Sequence, residues 1–163
     1  MDYRLERLKG ARVFHFPLGR EASQALTRTF RDLTDSEGER DVLLVQERKL
    51  EVPRAAKGVA WFQFEELCAR PLGAADFLAI ATHFHTVLID GVPRLKAEQR
   101  NEAKRFMILI DALYEHKVKA VIAADGPPES LYPSGQHGFE FQRTVSRLME
   151  MQAEDYIAAE HLT

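Results

Sequence analysis

The 163-residue chain has one cysteine, Cys68, and this rules out a disulfide scaffold or a cysteine zinc site. In "FEELCAR" that residue reads as a small buried apolar side chain, with a reactive thiol as the alternative, and it fits a reducing compartment. No segment approaches the roughly 20 apolar residues that a membrane span requires. The opening "MDYRLERLKG" is charged throughout, unlike a secretory signal. Neither sign of charge dominates, and the net charge of -3 suggests neither a nucleic-acid partner nor a polybasic anchor. Low-complexity tracts and short repeats are absent. No glycine is followed by lysine. The phosphate loop G-x-x-x-x-G-K-[ST], whose glycines admit backbone N–H groups to the phosphates and whose lysine meets their charge, is therefore missing. There is also no G-x-S-x-G, and neither Ser146 nor the histidines form a recognisable nucleophile constellation.

What is present is a globular composition, 45% hydrophobic and 29% charged, enough for one domain or two small ones with a sizeable core. Glu21 to Thr34 reads as a helix, with Ala22, Leu26, Phe30 and Leu33 on one face. Val42–Val45 and Leu50–Val52 flank the polar "QERK" and predict a β-hairpin, although its turn has no Gly or Asn. Pro53 is expected to stop the second strand. Val59 to Phe64 is apolar on both faces, as in a central strand. Asp76 to Phe84 predicts a short helix. Thr86–Ile89 is a buried strand, Glu98–His116 the clearest helix, and "VKAVIAADGPP" another buried strand. Together these three form a βαβ unit with a parallel strand pair. "SLYPSGQHG" reads as a loop, and Phe139 to about Ile157 as a last helix with Phe141, Val145, Leu148 and Gln152 on one side. The expected fold is α/β: a small, partly parallel sheet with a βαβ unit flanked by helices, plus a hairpin. Residues 1–40 read as an N-terminal helical, lid-like segment and residues 41–163 as the α/β domain.

"HTVLIDGVPRL" ends an apolar strand in Asp90, as the Mg²⁺-binding strand of a P-loop ATPase does. Asp125 closes the second inferred parallel strand. At that edge of an open α/β sheet both acids could face a ligand cleft, or both could simply form turns. Arg105, and the pair Arg143 and Arg147 four residues apart on one helix face, could complete such a polar cleft by gripping a phosphate or carboxylate. The alternative is ordinary helix-surface pairing with Glu140, Glu150 or neighbours. His83 and His85, as H-x-H with Asp90, allow a small metal hydrolase as a further reading. His116 at a helix C-terminus suits the helix dipole.

Taken in order, "DYRL", "VPRAAKGVAWFQFEELCARPLGAADFLAIA", "FHTVLIDGVPRL", "RNEAKRFMILIDALYEHKV" and "FEFQRTVSRLMEMQAEDY" resemble the C-terminal half of the ZapE cell-division ATPases. These are also called the AFG-one-like ATPases, and their mitochondrial members are of the lactation-elevated type. The resemblance implies an AAA+-like protein that hydrolyses ATP with Mg²⁺ when complete. It places the phosphate loop, acidic strand and arginine finger in a half preceding "DYRL". No nucleotide, cofactor or metal site is then carried by a residue of this chain, and Asp90 is not the catalytic acid. A degenerate echo of the ATPase βαβ layout is implied as well. By resemblance the partner is a protein, the tubulin-like division-ring protein in bacteria, with homo-oligomers possible through the missing half. The location is cytoplasmic at the division site; mitochondrial members serve protein quality control. Glu47 stands where a turn Gly is usual and Lys104 where Arg is common. Asp125 stands where small residues are frequent, which argues against a family-wide catalytic acid. A stand-alone interaction or regulatory module without catalysis is the rival expectation.

Overall fold

A computed structural model describes residues 3–133 and 138–163, with only the backbone of Tyr3 and Arg4. A 3₁₀ turn over Tyr3–Leu8 precedes β1 (Phe14–His15) and α1 (Arg20–Thr34). The antiparallel strands β2 (Glu39–Val45), β3 (Arg48–Ala56) and β4 (Val59–Gln63) follow, then α2 (Phe64–Cys68) and α3 (Ala74–His83). The chain continues through β5 (Thr86–Val92), α4 (Arg100–Glu115), β6 (Lys119–Ala124), a short 3₁₀ turn over Pro128–Ser130, α5 (Gly138–Glu150) and α6 (Glu154–Ala158). The strands form one mixed sheet in the order β1-β6-β5-β4-β3-β2. β4, β5, β6 and β1 run parallel, and the β2–β3 hairpin extends the other side. The expected α/β class and the β5-α4-β6 unit are both present. Ser134 to His137 of the expected loop lie outside the described residues.

Sequence periodicity accounts for the layers. α1 turns Ala22, Leu26, Phe30 and Leu33 onto Val59, Trp61, Leu88 and Val121 on one face of the sheet. The other face carries Ala60, Phe62, Val87, Ile89 and Ile122, covered by α2 to α6. Alternation along β4 therefore feeds both layers, as a central strand requires. Phe106, Ile110 and Leu113 of α4 are fully buried, and Phe106 lies between the rings of Phe64 and Phe141, 5.9 and 6.3 Å away.

Local chemistry sets several boundaries. The Gln63 backbone N–H donates to Glu66 Oε1 at 2.7 Å, which starts α2 directly at the end of β4. The Gly73 N–H donates to Asp76 Oδ2 at 2.9 Å and starts α3. The other oxygen of the buried Asp76 accepts from Arg48 at 2.8 Å, tying the hairpin to the helix layer. Gln46 and Glu47 have φ of 49° and 67°, so the hairpin closes through a two-residue turn with both residues left-handed. Lys57 and Gly58, φ 50° and 80°, make a second such turn between β3 and β4. At Gly58 a Cβ would also sit 2.5 Å from the His85 ring.

Several expectations need correction. Pro53 does not end β3, which runs on to Ala56. Asp41 pairs with Val52 and Glu39 with Ala55, leaving Pro53 and Arg54 opposite Arg40 in a bulge. A bulge tolerates a residue without an N–H inside a strand. The expected last helix is two, α5 and α6, with a turn at Met151–Ala153 between them. The break lets the Tyr156 hydroxyl donate to backbone carbonyls, lying 2.7 Å from Val118 O and 3.2 Å from Leu113 O. The segment 1–40 is more than helical, since it supplies the edge strand β1.

Candidate functional site

The parallel strands end together on one edge of the sheet, where ligands of open α/β proteins collect. Gln63, the last residue of β4, stands opposite Asp90 in β5. The β5–β6 ladder slips between Ile89 and Val92, with Gly91 at φ 75°. A Cβ there would come within 3.3 Å of Gln63 Oε1. The slip leaves Asp90 half-buried at the lip of the sheet. One step on, the Asp125 N–H donates to Val92 O at 2.9 Å, and the Asp125 side chain is exposed. Gly126 has no room for a side chain: a Cβ would lie 2.3 Å from Ser130 Oγ and 2.8 Å from the Arg94 guanidinium. Asp90 and Asp125 thus share this edge with Gln63, Arg94 and Ser130.

The three arginines of the expected cleft are held elsewhere. Arg105 donates to the Cys68 carbonyl at 2.9 Å, closing the C-terminal end of α2. Arg143 and Arg147 both reach Asp111 on α4, clamping α5 to α4. Arg147 also lies over the Tyr114 ring, 4.7 Å from its centroid. The histidine reading fares similarly. His83 is exposed, with its ring edge-on to Phe84. His85 lies at the opposite end of β5 from Asp90, about 16 Å away along the strand. Its Nε2 donates to the Lys57 carbonyl at 3.0 Å, and its Nδ1 lies 2.9 Å from the Thr86 hydroxyl. Among the described residues no group of three or more His, Cys, Asp or Glu is placed to hold a metal ion. Burial pushes the Cys68 thiol up, away from the reactive thiolate. His116 Nδ1 meets the Ala112 carbonyl at the end of α4.

Sequence reasoning missed a cavity on the same edge, where β1 leads into α1. It measures about 630 Å³, and Arg12, His15, Phe16, Arg20, Gln24 and Arg28 are among the residues around it. Arg12 Nε donates to Phe14 O at 2.9 Å and its guanidinium lies 5.3 Å from the Phe16 ring centroid. His15 Nε2 is buried and has no partner among the described residues. Burial first, then the Arg12 charge, lowers the His15 pKa, which favours the uncharged ring. The one signal in the sequence was the recurrence of Arg20, Gln24 and Arg28 at four-residue intervals.

The opposite edge carries a buried cation. Lys119 Nζ donates to the carbonyls of Lys117 and Ala159 and lies 5.1 Å from the Tyr156 ring centroid. Burial, then the Lys117 charge, lowers its pKa to about 8. It borders a second cavity of about 440 Å³ beside the C-terminal segment. There Leu162 N–H donates to His116 O at 2.8 Å and His161 Nε2 to Ala81 O at 2.7 Å.

A family model described as AFG1-like ATPase matches residues 1–160. Lactation elevated protein 1 homolog B of Danio rerio is 34% identical over 192 residues, covering 96% of this chain and 38% of that protein. Cell division protein ZapE of Escherichia coli strain K12 is 34% identical over 163 residues, covering 99% of this chain and 44% of that protein. The chain therefore spans less than half the length of these curated relatives. No solved structure matches it.

Proposed function

The chain belongs to the AFG1-like ATPase family, and from that premise we propose that it is the portion following the ATP-binding half of such an ATPase, inactive in hydrolysis by itself. One observation carries the reading. Neither strand–loop–helix unit nearest this edge carries a phosphate loop: from β1 to α1 the loop is Phe16-Pro17-Leu18-Gly19, with one glycine and no lysine, and from β5 to α4 Gly91 and Lys96 are separated by Pro93 with no Gly-Lys pair. Phosphoryl transfer is catalysed mainly by positioning and charge, through a loop of N–H donors, a lysine on the phosphates and an acid holding Mg²⁺. Pro17 removes a donor, and Asp90 supplies at most the last of these parts. In the complete protein the ATP and Mg²⁺ then belong to the other half.

The role that this assignment supports is in cell division, with a protein partner, the tubulin-like division-ring protein, met at the division site on the cytoplasmic side. No helix among the described residues is long and apolar enough to cross a membrane. A second reading, a stand-alone interaction or regulatory module, is favoured by the exposed Val42 and Leu44 on the edge strand β2. The primary test is a phosphate-release assay with Mg·ATP on the purified chain at physiological salt. The expected result is no turnover above background. Turnover abolished by Asp90→Ala would overturn the assignment. Co-sedimentation with polymers of the division-ring protein tests the partner, and unchanged pelleting of the chain would remove it.

A further inference from the structure

We propose that the cavity between β1 and α1 binds the phosphate groups of a nucleotide-sized small molecule and holds them without turnover. Its charge is one-sided, with Arg12, Arg20 and Arg28 against Glu21. Arg20 and Arg28, with Gln24 between them at four-residue intervals, share one face of α1 along the cavity. Arg12 faces them from the β1 side. Arg31, Arg48, Arg54, Arg105 and Arg147 each bind an acceptor. Neither Arg20 nor Arg28 has a hydrogen-bond or ion-pair partner among the described residues. Their planar forks are thus available for bidentate contact with an oxyanion.

Shape and surroundings narrow the ligand. About 630 Å³ lies in the range of small-molecule sites and exceeds what a lone phosphate fills. The Phe16 ring, 40% exposed beside Arg12, offers a face on which a planar base can stack. The first turn of the 15-residue α1 borders the cavity without a side-chain cap, adding backbone N–H groups to the arginine set. Asp90 stands in β5, two strands from β1, about 10 Å across the sheet. With no lysine in the loop, this arrangement binds phosphate and does not transfer it. The proposal stands apart from the assignment above, because it requires neither hydrolysis nor a protein partner.

Calorimetric titration of the whole chain with inorganic pyrophosphate, ADP and adenosine, at low and at physiological salt, tests the site. Pyrophosphate and ADP are expected to saturate at one site in the sub-millimolar range, weakening with salt, with ADP the tighter and adenosine silent. The double variant R20Q/R28Q should weaken both by at least about tenfold. A charge-matched control on the distant hairpin, R40Q/K49Q, should not, and thermal melting of both variants verifies that the fold is intact. Absence of saturation by pyrophosphate, or equal weakening in the control, would overturn the site. Displacement of pyrophosphate by an oligoglutamate peptide at lower concentration would overturn it in favour of an acidic protein segment. Equal affinity for ADP and pyrophosphate would retain the phosphate contacts and remove Phe16 from the proposal.

Discussion

Phe106→Ala is the sharpest test of the packing that holds the parallel sheet. The Phe106 side chain has no solvent exposure and lies between Phe64 and Phe141, joining α4 to α2 and α5. Truncation removes about 100 Å³ of ring, which at about 24 cal/mol per Å³ of unrelaxed cavity gives about 2.4 kcal/mol. Lost transfer free energy adds about 1.5–3 kcal/mol, and the site can collapse only in part. The expected loss is about 3–5 kcal/mol. Urea denaturation followed by far-UV circular dichroism measures it. With a slope of about 2 kcal/mol per M the midpoint should fall by about 2 M, the slope itself unchanged. A double-mutant cycle with Phe141→Ala should show coupling, since the rings share one cavity. A loss under about 1 kcal/mol would mean that α4 does not present this face to the sheet.

Glu47→Gly should raise stability by about 0.5–1 kcal/mol, because a left-handed turn position strains any residue with a Cβ; a lower melting temperature would refute that turn geometry. Lys119 gives a pH signature. Its folded pKa, about 8, lies below the unfolded value, so from about pH 8 to pH 10.5 the unfolded chain holds the extra proton. Stability from this group therefore rises with pH across that window and is lowest below it. Urea midpoints of the wild type should climb there relative to Lys119→Met, and parallel profiles would show that the ammonium is not desolvated.

The elements legible in the sequence were those whose burial repeats regularly. Thr86–Ile89, Val118–Ala124 and the α4 stripe are long apolar signals, and each lies where the pattern puts it. β1 escaped because a two-residue strand has no period, and it exists only through pairing with β6. The division between α5 and α6 escaped because helical spacing continues through Met151–Ala153. Tertiary bonds of Tyr156 decide that break. Pro53 misled because a bulge depends on the partner strand. At the candidate site the same logic holds. Asp90 and Asp125 were visible as strand ends, whereas Arg105, Arg143 and Arg147 looked available until their acceptors were known. Arg20 and Arg28 looked ordinary, since lacking a partner is a property of three dimensions.

The bonds of the C-terminal segment also impose an order on biosynthesis. The parallel pair β5–β6 is complete once Ala124 has been made. Yet the hydroxyl that serves the carbonyls of Leu113 and Val118, and the carbonyl that receives Lys119, belong to Tyr156 and Ala159. These follow about thirty residues later, a delay of about 2–6 s at ordinary elongation rates. For that interval the start of β6 remains open to water, and its lysine stays an ordinary charged side chain. Sealing of the sheet thus waits for Tyr156 and Ala159, and ribosomes stalled before Tyr156 would display a nascent chain whose central strands are already made but whose margin is still unlatched.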